Sequence, residues 1–262
     1  MPKRLLCLLG AALLALAACG GGSDPSTTVV SDSTLINWDR NPNTIIFRAD
    51  VTGGSTDPFI ARSEVPVCTV YGDNHVVWTN ELGPFNVQVL EDRVSDETIQ
   101  DFVLFLTLNL QFYTRQSRAN LEPASNPAPV VETLLLFVNG VTHTTDAFSE
   151  WPPDYYSNVI QACKAISSAP VIYAPAAGWV SAQAVPYDTS APTLPWDAAA
   201  NGLDLAALAT EGQPRWITDR NVPVIWNILR TSPPNILFTQ GEQTYWVALQ
   251  VPNVTRNAPA AP

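Results

Sequence analysis

The chain has 262 residues, 24 Asp and Glu against 13 Lys and Arg, and a formal charge of −11. That acidic balance repels phosphate backbones and argues against nucleic-acid partners. A hydrophobic content of 46% with eight tryptophans excludes general disorder, and the length suffices for a sizeable core in one domain or two lobes.

The first element is MPKRLLCLLGAALLALAACGGGS. Lys3 and Arg4 form a positive n-region, and Leu5 to Leu16 an apolar core shorter than the roughly 20 residues that span a bilayer. This is the layout of a secretory signal peptide over residues 1–18. The L-A-A-C ending at Cys19 resembles the lipobox of bacterial lipoproteins. That resemblance implies cleavage before Cys19, acylation of Cys19, and a membrane contact made through the lipid. Gly20 in place of Asp after the cysteine implies the outer membrane in cells that have one. A conventional signal peptide cut near Ala18 would instead leave a soluble secreted protein. Residues 19–43 read as the lipidated cysteine and a tether, whose Gly/Ser start behaves as flexible coil. Removal of residues 1–18 leaves 11 basic against 24 acidic residues, a charge of −13, with Lys164 the one lysine that remains.

Residues 44–252 read as the globular domain. NTIIFRADVTGG (43–54) is a strand closed by a Gly-Gly turn. VPVCTVYG and HVVWTN are β-prone runs joined by Gly72, Asp73 and Asn74, all turn formers, which predicts a solvent-facing hairpin tip with His75 hydrated at its edge. FNVQVLEDRV (85–94) adds a strand. Ser95 then caps a helix running through SDETIQDFVLFLTLNLQFY, with Asp96 and Glu97 where the helix dipole favours acids. The Pro/Ala stretch 120–131 marks a candidate lobe boundary. TLLLFVNGVTHTTDAF (133–148) is a hairpin turning at Asn139-Gly140, and a helix follows around 154–167. A strand is expected near 179–185 and a short helical piece at GLDLAALA. A further helix starts at Thr218 or Asp219, with Pro223 in its first turn. A last hairpin turns at Gly241-Glu242, and residues 253–262 read as a loose tail. Strands come as hairpins with three to four helices inserted, so the expected class is α+β with mainly antiparallel sheet.

The stretch RADVTGG followed by PVCTVYGDNHVVWT, the VNGVTHTTDAF hairpin and the ending TYWVALQVP are similar to uncharacterised bacterial envelope lipoproteins. Asn74 stands where that pattern has glycine. The resemblance implies a location and a fold and carries no activity.

Chemistry-bearing motifs are sparse. G-x-S-x-G, S-x-x-K, H-E-x-x-H, C-x-x-C and a phosphate loop are all missing, and no cofactor or metal is expected. His75 and His143 each follow a hairpin turn, where the ordinary role is a solvated polar residue. A metal pair would need Asp73 or Asp146 as well. The acid-rich LEDRVSDETIQD, with Glu91, Asp92, Asp96, Glu97 and Asp101, could serve a carboxylate-based glycan hydrolase, but it coincides with a strand end and a helix start. Cys68 and Cys163 are disulfide candidates in an oxidising envelope, with two separate buried thiols as the alternative. Trp151, Trp179 and Trp196 sit beside prolines or in Pro-rich segments and are candidates for stacking on a ligand. The leading expectation is a non-catalytic envelope domain that binds a protein, peptide or glycan. The surface glycan hydrolase is the alternative.

Overall fold

The computed structural model describes residues 36–54, 56–116 and 128–262. The expected signal peptide, Cys19 and most of the expected tether lie outside them. The fold is α+β, with two sheets and six α-helices among the described residues.

The larger sheet has seven strands, all paired antiparallel. They are β1 (Ile45–Gly54), β2 (Cys68–Tyr71), β3 (His75–Gly83), β4 (Asn86–Arg93), β5 (Ala128–Val138), β6 (Val141–Asp146) and β7 (Val171–Ile172), in the order β6-β5-β1-β2-β3-β4-β7. The smaller sheet contains β8 (Gly178–Val185), β9 (Thr193–Pro195), β10 (Arg215–Ile217), β11 (Leu237–Gln240) and β12 (Gln243–Gln250), in the order β10-β8-β12-β11-β9. Its β9–β11 pair is parallel. The candidate lobe boundary at 120–131 does not divide the sheets. Its first part lies outside the described residues, and β5, which begins at Ala128, pairs with β1.

The run Val76-Val77-Trp78 explains the layering. Successive strand residues point to opposite faces. Val76 and Trp78 join one core with Phe47, Leu134 and Leu136, while Val77 joins a second core with Val180, Phe238 and Leu249. The seven-stranded sheet is therefore buried on both faces where these strands run. Helices α2 (Asp96–Leu104) and α3 (Tyr155–Ala165) cover the first face. The smaller sheet, with α5 (Leu205–Glu211) and α6 (Asn221–Thr231), forms the second core. The four-residue α1 (Pro58–Ala61) and α4 (Ala198–Asn201) start from Asp57 and Asp197, whose carboxylates accept from the first-turn N–H groups.

Local signals place these elements well. Ser95 accepts from the N–H of Thr98 and starts α2. Asn139 and Gly140 both hold positive φ, as their turn requires. Pro223 falls in the first turn of α6. The long helix expected after Ser95 is shorter. Beyond Leu104 the backbone widens into a π-turn over Phe105–Asn109 and is broken at Gln111, where φ is 51°. The Thr107 hydroxyl donates to the carbonyls of Val103 and Leu104 within that stretch.

Both ends of the domain reach further than the sequence suggests. The segment expected as tether up to residue 43 is docked from residue 36: Ile36 and Trp38 are buried, and Trp38 Nε1 donates to the Gly72 carbonyl at 3.2 Å. The tail expected to be loose from 253 is docked too, with Val254 and Thr255 buried. Among the described residues no helix is long and apolar enough to cross a membrane.

Candidate functional site: a cleft closed by the C-terminal tail

A cleft of about 1020 Å³ opens where the end of β1, the tip of the β3–β4 hairpin, the end of α6 and β12 meet. Its position follows from local backbone features. Near the end of β1 stands Gly53, φ 82°, where a Cβ would lie 1.9 Å from the Pro129 carbonyl oxygen. A side chain there would force β5 away and disturb the wall. The hairpin tip puts Pro84 and Phe85 at the rim, with Phe85 in the left-handed region at φ 59°. Leu82 and Phe85 are 57% and 55% exposed, so the mouth presents apolar side chains to water. Pro233 and Pro234 end α6 and line the same space with Trp246 of β12.

One guanidinium organises the charges. Arg256 Nε and Nη2 each lie 2.7 Å from an oxygen of Asp50, in a bidentate pair. Its Nη1 meets Glu64 Oε2 at 2.6 Å, and Nη2 also donates to the Val51 carbonyl at 2.7 Å. The Arg256 N–H donates to the Glu64 carbonyl at 2.8 Å, which pins the tail to the segment after α1. Burial disfavours the charged form of Arg256, but the two carboxylates outweigh it and raise its pKa. Tyr156, buried in the first core, donates to the Asp50 carbonyl at 2.9 Å, and its own pKa is pushed up by burial and by Glu132 and Asp50.

Arg230, from α6, is the second cation. It donates through Nη2 to the Ser63 carbonyl and lies 4.8 Å from the centre of the Trp226 ring. Burial lowers its pKa to about 10, against the opposing field of Glu64.

The chain matches no family model, no curated protein and no solved structure. The reading of the site therefore rests on its own chemistry.

Carboxylate catalysis in the cleft would call on the acids that line it. A glycan hydrolase needs one carboxyl group that holds a proton. Of the three acids that line the cleft, Asp50 and Glu64 are both engaged by the Arg256 guanidinium. The acid-rich 90–101 stretch is also committed elsewhere. Glu91 Oε2 lies 2.8 Å from His75 Nε2. Asp96 pairs with Arg40 at 2.6 Å and accepts from Asn74. Asp92 accepts from Ser167 Oγ and from the N–H groups of Arg93, Ser168 and Ala169. Glu97 and Asp101 are exposed on α2.

The stacking candidates are not brought together. Trp196 is 6% exposed, with its Nε1 donating to the Leu203 carbonyl, so it belongs to the core. Trp151 stacks on Tyr156 and donates to Thr145 Oγ1. Trp179 packs edge-on against Trp216 and donates to the Ala260 carbonyl. Each indole N–H already has a protein acceptor, and none of the three lines the cleft. The cleft tryptophan is Trp246, in β12.

The histidines are not simple surface residues either. The His75 side chain is 13% exposed and stacks on Tyr71 at 5.8 Å, so the hairpin tip is more closed than its turn residues suggest. His143 Nε2 lies 2.6 Å from the Arg115 carbonyl, between the edges of Phe112 and Tyr113. Among the described residues no group of three or more His, Cys, Asp or Glu is placed to hold a metal. Cys68 and Cys163 form a disulfide that joins β2 to α3.

Proposed function

We propose that this chain is an envelope-tethered, non-catalytic binding domain whose ligand sits in the cleft beside Arg230 and Trp246. The cleft carries the reading. Its volume of about 1020 Å³ lies at the upper end of ligand sites, and its walls combine apolar side chains with a few polar groups. The Arg256 clamp supports it further, because a wall locked by three ion-pair contacts is preorganised and loses little freedom on binding. The disulfide is consistent with an oxidising compartment, and the lipobox-like L-A-A-C at Cys19 supports a lipid tether to the membrane.

The test is a thermal-shift screen of lipids, peptides and glycans against the protein. At least one class should raise the melting temperature, and Leu82→Glu at the exposed rim should abolish the rise without changing the ligand-free melting point. Turnover of a glycan that disappears in Glu64→Gln would establish the hydrolase reading in its place.

A further inference from the structure

The seven-stranded sheet splits at the cleft. β2 pairs with β1 as far as Ala49 opposite Cys68, and with β3 as far as Cys68 opposite Trp78. Both neighbours run on, β1 to Gly54 and β3 to Gly83, with no strand between them among the described residues. Gly53, Gly54, Thr79, Glu81 and Gly83 from these two ends line the cleft. The protein itself closes the β1 side of the gap. The Val51 N–H donates to Asp50 Oδ1 at 2.9 Å, and the Val51 carbonyl accepts from Arg256. The β3 side is open. The Thr79 N–H donates to the Val67 carbonyl at 3.1 Å, so it faces the β2 side. In an antiparallel ladder every second residue turns its N–H and C=O to the same neighbour. Glu81 therefore turns both groups into the gap, where no strand stands opposite it among the described residues. Such an edge is a template for another chain, and Glu81 is exposed, so a guest can reach it.

We infer that the cleft takes an extended peptide segment that adds to the β3 edge at Glu81, with a basic residue opposite Glu81 and apolar residues on either side. This rests on the cleft being the binding site. The charges set the sign of the guest. The lining carries Asp50, Glu64 and Glu81 against Arg230 and Arg256, three acids to two cations, so an acidic guest is repelled. Asp50 and Glu64 are engaged by Arg256. Lys164 of α3 feels the charge of Glu81, but its Nζ is bonded to the Thr79 carbonyl and it does not line the cleft. Glu81 is left to meet a cation opposite it across the new strand pair, where opposite charges attract. Main-chain bonds to an open edge give such a complex its affinity, and pockets for alternate side chains give its specificity. Guest residues two positions from the basic one share its face, which the cleft lines with Leu229, Ile236 and Trp246. Leu82 and Phe85 lie exposed at the mouth, and covering them removes apolar area from water.

The probe is a blocked heptapeptide, Val-Thr-Val-Lys-Val-Thr-Val, used below its aggregation concentration with the unmodified protein. Calorimetry gives its affinity, and amide hydrogen exchange reads the edge. Saturating peptide should slow exchange of the Glu81 amide at least tenfold. The same peptide with Glu in place of Lys should bind at least tenfold more weakly, and Glu81→Lys should reverse that preference. N-methylation of the lysine amide removes the donor to the Glu81 carbonyl and should weaken binding at least tenfold. Peptide binding that leaves Glu81 exchange unchanged, tolerates the N-methyl group or ignores the Lys-to-Glu exchange overturns the assignment. The cleft reading survives that result if Leu82→Glu still blocks binding. A lipid or glycan that binds where the peptide does not has the same consequence. Glu81 protection in the free protein that vanishes on dilution would make a second copy the occupant, and also overturns the assignment. If no class binds, both the assignment and the cleft reading fail.

Discussion

Asp50 and Arg256 stand 206 residues apart in sequence and meet in a bidentate ion pair, with Nε–Oδ2 and Nη2–Oδ1 distances of 2.7 Å. Their side chains are only 8% and 18% exposed. Removal of one partner leaves the other shielded and unpaired. Arg256→Ala should therefore lower stability by about 3–5 kcal/mol. The double variant Asp50→Leu with Arg256→Met should recover much of that loss. Denaturant melts of the two single variants and the double variant measure the coupling. Additive losses would show that the pair contributes little.

The disulfide joins residues 95 apart, Cys68 in β2 and Cys163 in α3. In the chain-entropy account a loop of this length contributes roughly 4–5 kcal/mol. Cys68→Ala with Cys163→Ala should lower the midpoint of urea unfolding accordingly. An unchanged midpoint under reducing conditions would contradict this.

Asn74 has φ 65° and donates through Nδ2 to Asp96 at 2.5 Å. Asn74→Val should cost about 1–2 kcal/mol, since a β-branched residue resists the left-handed region. Asn74→Gly keeps the backbone and loses only the hydrogen bond, so it should cost less than about 1 kcal/mol. His75→Ala removes the Glu91 contact and the Tyr71 stack. It should cost about 1–1.5 kcal/mol, more than an exposed turn residue would. Thermal melts of the three variants give the ranking.

Asp92 carries a pH dependence. Burial opposes its ionisation, but hydrogen bonds from Ser167 and from the N–H groups of Ala169, Arg93 and Ser168 outweigh that and hold its pKa below the ordinary value of 3.8. A depressed folded-state pKa means stability that is full above the unfolded pKa and lost as pH falls through the folded one. Carbon-detected NMR should place the Asp92 titration below that of an ordinary aspartate. Asp92→Asn should flatten the fall in stability below about pH 4.

Cys19→Ala should abolish acyl labelling and release the protein from membranes, as the lipobox-like sequence implies. Intact mass and fractionation read both. Membrane retention of an unmodified wild-type chain would remove the tether from the proposal.

The sequence by itself determined the local elements. Ser95 acts through a hydrogen bond reaching only three residues, Pro223 through its place in a first helical turn, and Asn74 and the Asn139-Gly140 pair through their own φ angles, so the backbone role of each is legible within a short window. The antiparallel α+β class followed from those elements in series. The tertiary structure alone decided the site. Asp50 sits inside a strand and Glu64 in a short connection. Arg230 ends a helix, and Arg256 lies in a Pro/Ala-rich tail that reads as loose. Nothing local distinguishes these four from solvated surface charges. They acquire a role only when folding removes water from around them, because in that setting an unpaired charge becomes costly and a paired one holds the wall of a cleft in place. The tryptophans show the same limit from the other side. Trp196, beside Pro195, reads as a loop residue and Trp246 as a strand residue, yet packing sent the first into the core and the second to the cleft.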